Sequence, residues 1–376
     1  MELDVVVVGA GPAGAATALQ LGRAGLRVAV VDRAAFPRRK VCGEYLGAGA
    51  LRALEELGLA EEVRSQGSPL QRIRIVTAGA RVELPFRRPA LAVTRERLDA
   101  VILAAACRAG ASVVRGRVDD VVRDASGRIC GVAFRDDGGQ PRNIFARFVV
   151  GADGIGSVVA RKLGLSHASR GTPHFAAGGH YRDVTESDGC IEMFVDRDAY
   201  LAINPLGNGL TNVMAVMPKD ATERWTRTLE LAASSRVGSR VAIGPLAHRV
   251  RRAVAPGALL AGDAAGFLNP FTGQGVMLAL RGAQRAAAAI ADGLTSAGAE
   301  GRALQNYETA RRAELARRGR LAAFVDLLVH VPPLARRAAK RLERSPELAA
   351  SLVDALMDSS ETHAVIRPAM LRRLLA

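Results

Sequence analysis

Three groups of residues in this 376-residue sequence have types and spacings that could do chemistry. The first is Gly9-Ala10-Gly11-Pro12-Ala13-Gly14, with Asp32 about 20 residues further on. Gly9 permits a tight turn, Gly11 lets the backbone approach a pyrophosphate, and Gly14 lets a helix pack close to its strand. A carboxylate at Asp32 can then accept from a ribose hydroxyl pair, so the chemistry is dinucleotide binding. The second group is Gly151-Ala152-Asp153-Gly154, where Asp153 can accept from a ribose or ribitol hydroxyl while Gly154 brings the backbone close. The third is Gly262-Asp263-Ala264-Ala265-Gly266, continuing through Phe267-Leu268-Asn269-Pro270-Phe271-Thr272-Gly273-Gln274-Gly275 to Val276. Backbone N–H groups at a helix start here would suit a ring carrying developing negative charge.

A fourth stretch, Pro37-Arg38-Arg39-Lys40-Val41-Cys42-Gly43-Glu44-Tyr45, reads as a loop by its Pro, Gly and charge content. Its arginines could neutralise a neighbouring pyrophosphate through bidentate contacts, or could equally be a solvated basic face. Cys42 and Glu44 can act as proton donor or hydrogen-bond anchor, the alternative for Cys42 being a small buried filler.

The elements that must position these residues are legible in outline. Val5 to Val8 suit a strand buried on both faces, the alanine-rich segment after Gly14 a helix, and Leu26 to Val31 a second buried strand. From Ala48 to Leu59 the apolar positions Leu51, Leu54, Leu57 and Leu59 predict a short helix ended by Gly58. Ile73 to Thr77 and Arg81 to Phe86 alternate around Ala78-Gly79 as a β-hairpin. Thr94 can cap a helix carrying Leu98, Val101, Ile102 and Ala105, although Arg95 in its first turn opposes the helix dipole and must have another task. Strands follow at Ser112 to Val114, Val118 to Val122, Ile129 to Phe134 and Asn143 to Val150. Four further β-prone runs, at 176–181, 190–195, 200–203 and 209–216, read as one antiparallel sheet flooring a mostly aliphatic pocket. An alanine-rich helix runs from Val276 to about Ile290, and the last 75 or so residues are helical, interrupted at Pro332-Pro333 and restarted at Ser345-Pro346.

Length predicts two or three cores, and 49% hydrophobic residues a folded globular chain. The acidic start Met1-Glu2-Leu3-Asp4 carries no secretory signal and no uninterrupted apolar stretch predicts a membrane span. Cys42, Cys107, Cys130 and Cys190 form no CxxC pair, so neither a disulfide framework nor a metal site is expected, and a reducing cytoplasm is. The net charge of +15 comes almost wholly from scattered arginine, with lysine only at 40, 162, 219 and 340. That is a compositional bias rather than a nucleic-acid stripe, and it leaves peripheral contact with anionic lipid open.

The three turns in this order resemble the single-FAD flavoproteins related to para-hydroxybenzoate hydroxylase. Pro37 to Glu44 and Gly262 to Pro270 are most similar to the geranylgeranyl reductase branch. The resemblance implies an α/β fold: a Rossmann-type FAD-binding domain (1–68, 90–165 and 255–300), an antiparallel β-sheet substrate domain (69–89 and 166–254) and a helical C-terminal tail (301–376). It implies FAD held by Gly9, Gly11, Pro12, Ala13, Gly14, Asp32, Arg33, Arg39, Cys42, Arg95, Val118, Asp153, Gly154, Gly262, Asp263, Ala264, Pro270, Gly273, Gln274, Gly275 and Val276. Arg95 would lie near the pyrophosphate, Asp263 near the pyrophosphate and ribityl chain, and Gly273 to Val276 near the isoalloxazine. No second GxGxxG is present, so NADPH or NADH would bind transiently or a separate flavin reductase would supply electrons. The run Tyr200-Leu201-Ala202-Ile203-Asn204-Pro205 lacks the Trp and Phe of the prenyl reductases' Tyr-x-Trp-x-Phe-Pro pattern. Of the halogenase loop only Gly43-Glu44 is present, and the sole tryptophan is Trp225. The expected activity is therefore hydroxylation of a lipophilic aromatic or polyketide-type substrate. The alternative is reduction of a carbon–carbon double bond with Cys42, Glu44 or Tyr45 as proton donor.

Overall fold

The computed structural model describes residues 3–77, 80–167, 174–182, 184, 189–196, 199–221, 235–296 and 298–357. The hairpin turn at Ala78-Gly79, Trp225 and the last 19 residues of the tail, 358–376, lie outside them.

Leu3–Val8 is a strand whose four valines are almost completely buried, and it forms the middle of a parallel sheet. Val28–Asp32 pairs with it on one side and the second half of Pro141–Gly151 on the other, all in parallel. Ser112–Arg123 extends the sheet beyond Val28–Asp32, and Ala258–Leu260 extends it beyond Pro141–Gly151. Branched residues at these positions fit because both faces are covered, each buried valine contributing about 1.5–3 kcal/mol relative to exposure. Helices Pro12–Arg23, Arg95–Arg108 and Gly275–Gly293 pack together over the sheet.

The helix expected to end at Gly58 is Ala48–Glu56, the chain turning at Gly58 with φ +67°, and a second short helix, Ala60–Arg64, follows it. One local reading is corrected. The two strands expected between 112 and 122 are one, Ser112–Arg123. It continues through Gly116 because a side chain there would lie 2.4 Å from the Phe134 ring, and glycine has none.

The second sheet has eight strands, in the order Arg236–Ile243, His174–Arg182, Leu210–Pro218, Tyr200–Gly207, Cys190–Val195, Ser68–Thr77, Ala80–Ala92 and Tyr45–Leu46. All neighbours are antiparallel except Cys190–Val195 and Ser68–Thr77, which run parallel from Cys190 opposite Arg72 to Val195 opposite Thr77. One face of this sheet is roofed by helices. Val82, Leu84, Ile191 and Met193 pack in one cluster with Val325 and Val329 of Ala299–His330, Ala339 and Leu342 of Pro332–Arg344, and Leu348, Leu352 and Val353 of Pro346–Met357. Thr77 Oγ1 ties the sheet to the roof by donating to the carbonyl of Val329 at 2.8 Å. The breaks in the roof fall at Pro332 and Pro346, where a missing N–H is tolerated in a helix's first turn, and Ser345 Oγ accepts from Leu348 N. Among the described residues no helix is long and apolar enough to cross a membrane.

Candidate active site

The three glycine turns meet in space. Gly9, with φ +98°, lies so close to the second turn that a side chain would sit 2.5 Å from the carbonyl oxygen of Ala152. Gly262, with φ +61°, is equally tight against Ala13 of the first turn, at 2.7 Å. Gly14 lies on the carbonyl of Gly9, where a Cβ would come within 1.8 Å. At Gly11 the situation reverses. An added Cβ would meet only Arg38 Nη2 at 3.7 Å and Arg95 Nη2 at 3.9 Å. The N-terminus of Pro12–Arg23, which has no side-chain cap, therefore opens onto a gap bordered by two guanidinium groups. Free N–H groups at a helix start and two cations make a site that fits a pyrophosphate.

Arg95 is aimed by a buried network. Its Nε and Nη2 donate to the two carboxylate oxygens of Asp99, each at 2.8 Å, and Arg38 approaches the same carboxylate at 3.4 Å. Burial alone would lower the pKa of this guanidinium, and Asp99 together with Cys42 more than reverses that. Its misfit with the helix dipole is offset because Thr94 caps the helix and the Arg95 amide donates to Glu44 Oε1 at 2.9 Å. Asp32 stands at the end of its strand, where its carboxylate accepts from the amides of Ala10 and Ala34 at 2.7 and 2.8 Å.

Several residues expected at the cofactor make other contacts or lie outside the cavity. Arg39 Nη1 donates to the carbonyls of Val237 and Ser239 at 2.7 and 3.3 Å, because the edge strand Arg236–Ile243 offers it backbone acceptors. Arg33 is exposed and does not line the cavity. Val118 is buried in the sheet opposite Phe134 and lies away from the cavity. Asp153 turns from the cavity to the start of Val158–Lys162, accepting from Ser157 Oγ at 2.5 Å and Val158 N at 2.6 Å. The unpaired N–H groups of that short helix claim its carboxylate, and burial pushes its pKa up.

Asp263 does border the cavity. Burial pushes its carboxyl above the usual range, opposed by Lys40, Arg95 and His248. Its turn is held from behind by His248 Nε2, 2.9 Å from the carbonyl of Ala264, and by Arg311 Nη1, which donates to the carbonyl of Ala265 at 2.7 Å. Gly273, Gln274, Gly275 and Val276 line the same wall, as do Gly11, Pro12, Ala13, Gly154, Gly262 and Pro270, whereas Ala264 is packed in the core behind. Gln274 anchors the roof, donating from Nε2 to the carbonyl of Leu356 at 2.9 Å.

The loop with Cys42 is clamped by three strands of the second sheet. Asn212 Nδ2 donates to the Cys42 carbonyl at 2.7 Å, and Asn204 Nδ2 to the carbonyls of Gly43 and Glu44 at 2.9 Å each. Glu44 Oε2 pairs with His180 Nε2 at 2.7 Å while Oε1 takes the Arg95 amide. Both its oxygens are engaged and its φ is +55°, so Glu44 braces the loop where it borders the cavity. Cys42 lies deep in the protein yet keeps accessible surface because it borders the cavity. Burial pushes its thiol pKa up, against the opposing influence of Arg95, and its sulfur accepts from the Glu44 amide at 3.3 Å. Tyr45 also faces the cavity, its hydroxyl kept neutral by burial.

From this loop one cavity of about 320 Å³ runs into a chamber between the second sheet and its roof. Ile73, Ile75, Ile191, Met193, Met214 and Val216 form the sheet side, and Val325, Val353, Leu356 and Met357 the roof. Tyr200 and Phe271 meet edge to face across it at 5.1 Å. Arg38 is one of the loop arginines expected to neutralise a pyrophosphate, whereas the residues that sequence reading missed are Lys40, Asp99, His180, Asn204 and Asn212. His180, Asn212 and Asn204 are cross-strand partners in one polar row, a pattern visible only once the register is fixed.

The model of the FAD binding domain family matches residues 2–240. The menaquinone reductase of Mycolicibacterium smegmatis is 33% identical over 327 residues, 77% of this chain and 76% of that protein. Digeranylgeranylglycerophospholipid reductase 1 of Methanothermobacter thermautotrophicus is 29% identical over 352 residues, 84% of this chain and 83% of that one. Among solved structures, the flavin-dependent brominase Bmp2 superposes with a TM-score of 0.83 at 20% identity over 99% of both chains. PqsL of P. aeruginosa does so with a TM-score of 0.75 at 23% identity, over 89% of this chain and 98% of the other. At those identities the two structures speak to the fold alone.

Proposed function

The chain belongs to the FAD-binding flavoproteins, in the geranylgeranyl reductase-like branch of the para-hydroxybenzoate hydroxylase superfamily, and on that premise we propose that it reduces a carbon–carbon double bond in a lipophilic substrate. Reduced flavin would supply the hydride equivalent to one alkene carbon. The chain's own residues do the rest. Gly11, Pro12, Ala13, Arg38 and Arg95 would hold the pyrophosphate, Lys40 and Asp263 would lie along the cofactor, and the roofed chamber would hold the substrate and keep water out.

The observation that carries the reading is Cys42. Its thiol stays protonated at neutral pH and borders the cavity on a loop fixed by Asn204 and Asn212. It is placed to deliver the proton that the second alkene carbon requires, its thiolate regaining a proton from solvent. The two sequence relatives named above are reductases of a quinone and of a phospholipid by name, which supports the same reading. NADPH or NADH, bound transiently, or a separate flavin reductase would be the electron source. Hydroxylation, the activity expected from the sequence, is the second reading, favoured by the same roofed apolar chamber, since oxygen transfer also needs water excluded.

Cys42→Ser separates the two. The test is anaerobic incubation of photoreduced enzyme with an unsaturated polyprenyl quinone, followed by mass spectrometry. With the ring reoxidised to the quinone before analysis, reduction predicts a polyprenyl chain heavier by two hydrogens and a loss of about a hundredfold or more in the variant, with flavin content unchanged. A product formed only with oxygen, gaining one oxygen atom and made equally well by Cys42→Ser, overturns the proposal in favour of hydroxylation.

A further inference from the structure

The roof of the chamber has a second face. Pro332–Arg344 buries Ala335, Ala338, Ala339 and Leu342, spaced three and four apart, against the second sheet. Every position opposite them is exposed, and five of those positions are basic: Arg336, Arg337, Lys340, Arg341 and Arg344. Glu343 is the helix's one acid. This helix packs against the two roof helices whose Val325, Val353 and Leu356 line the chamber, and its outer side is strongly cationic.

A surface helix needs only a polar outer face, and mixed signs serve solubility as well. Concentrating one sign on one helix face instead creates a field that recruits an anionic partner. Location chooses between partners. The cationic face flanks the two helices that roof the apolar chamber, which on the proposed function takes a lipophilic substrate. Such a substrate resides in a bilayer, whose anionic headgroups attract basic helices lying flat in the interface. A nucleic acid would meet the same charge but has no use for the chamber.

We propose that the outer face of Pro332–Arg344 docks the protein on an anionic lipid bilayer, setting the roof of the chamber against the membrane from which the substrate is drawn. This inference rests on the proposed function for the nature of the substrate. The charges act collectively and through water, so docking weakens as salt shortens the screening length.

The test is cosedimentation of the flavin-loaded full chain with vesicles of phosphatidylcholine, with and without phosphatidylglycerol, across a salt series. Binding is expected with phosphatidylglycerol, weaker at high salt and near background without it. Lys340→Glu, Arg341→Glu and Arg344→Glu combined should weaken partition about a hundredfold while leaving flavin content and circular dichroism unchanged. Arg336 and Arg337 are spared because both also make contacts within the chain. Equal binding by the triple variant and wild type overturns the proposal, as does equal binding to uncharged vesicles. So does tight binding to duplex DNA with none to vesicles. Wild-type enzyme that turns over in detergent but ignores anionic vesicles refutes docking and leaves the functional reading standing; vesicle binding without turnover does the reverse.

Discussion

Removing the carboxylate of Asp99 tests how the pyrophosphate gap is built. Asp99 has a fully buried side chain and is bound by both nitrogens of the Arg95 fork, with Arg38 beside it. Asp99→Ala leaves the Arg95 guanidinium buried without its counter-ion, a loss of about 3–5 kcal/mol when one partner of a buried pair is deleted. That is about a hundredfold or more in the unfolding equilibrium. The Arg95 fork lies beside the open face of Gly11, so a bound pyrophosphate offers it a replacement anion. The loss should therefore be smaller in FAD-loaded protein than in stripped protein, by about 1 kcal/mol or more. Urea unfolding of both forms, followed by near-ultraviolet circular dichroism, measures the difference, with Asp99→Asn as a control of the same shape. Equal destabilisation of the two forms would refute the placement of Arg95 at the cofactor's phosphates. A loss under about 1 kcal/mol in stripped protein would refute the tightness of the buried pair.

Two further outcomes follow from the same geometry. Gly14→Ala forces a methyl group to within 1.8 Å of the Gly9 carbonyl, so the purified variant should lose its bound flavin, read as the 450 nm-region absorbance per protein. Glu308 is buried, which works against its charge, yet Arg311, the Ala253 amide and Arg312 together hold its pKa below the ordinary 4.5. A depressed carboxylate stabilises the fold fully above its unfolded value and loses that contribution as pH falls through the folded one. The stability gap between wild type and Glu308→Gln should thus persist at neutral pH and close below pH 4.5, and a gap that widens on acidification would contradict this pairing.

What the sequence disclosed depended on whether the cause was local. Strand, glycine turn and helix at Val5 to Gly14 are decided within a few residues, and the three-turn order was enough to reach the fold. Directions of side chains were not. Asp153 looked like a ligand for a sugar hydroxyl because nothing in its neighbourhood of sequence shows that the amides of Val158 and Val159 compete for it. Arg38 and Arg39 are adjacent and chemically alike, yet one faces the first turn and the other the edge strand Arg236–Ile243, about 200 positions away. The polar row of His180, Asn212 and Asn204 belongs to three strands whose alignment no local pattern records. The parallel pairing of Ser68–Thr77 with Cys190–Val195 escaped the reading for the same reason.

That parallel pairing also governs how the polypeptide can be made. Ser68–Thr77 leaves the ribosome long before its neighbour Cys190–Val195, and the strand end at 149–151 must wait almost as long for Ala258–Leu260. Until then a nascent chain holds open strand edges on both sheets, the condition in which β segments find the wrong companion. Synthesis of this molecule should accordingly depend on chaperones, and no shortened version ending before residue 260 should be recoverable as a soluble body.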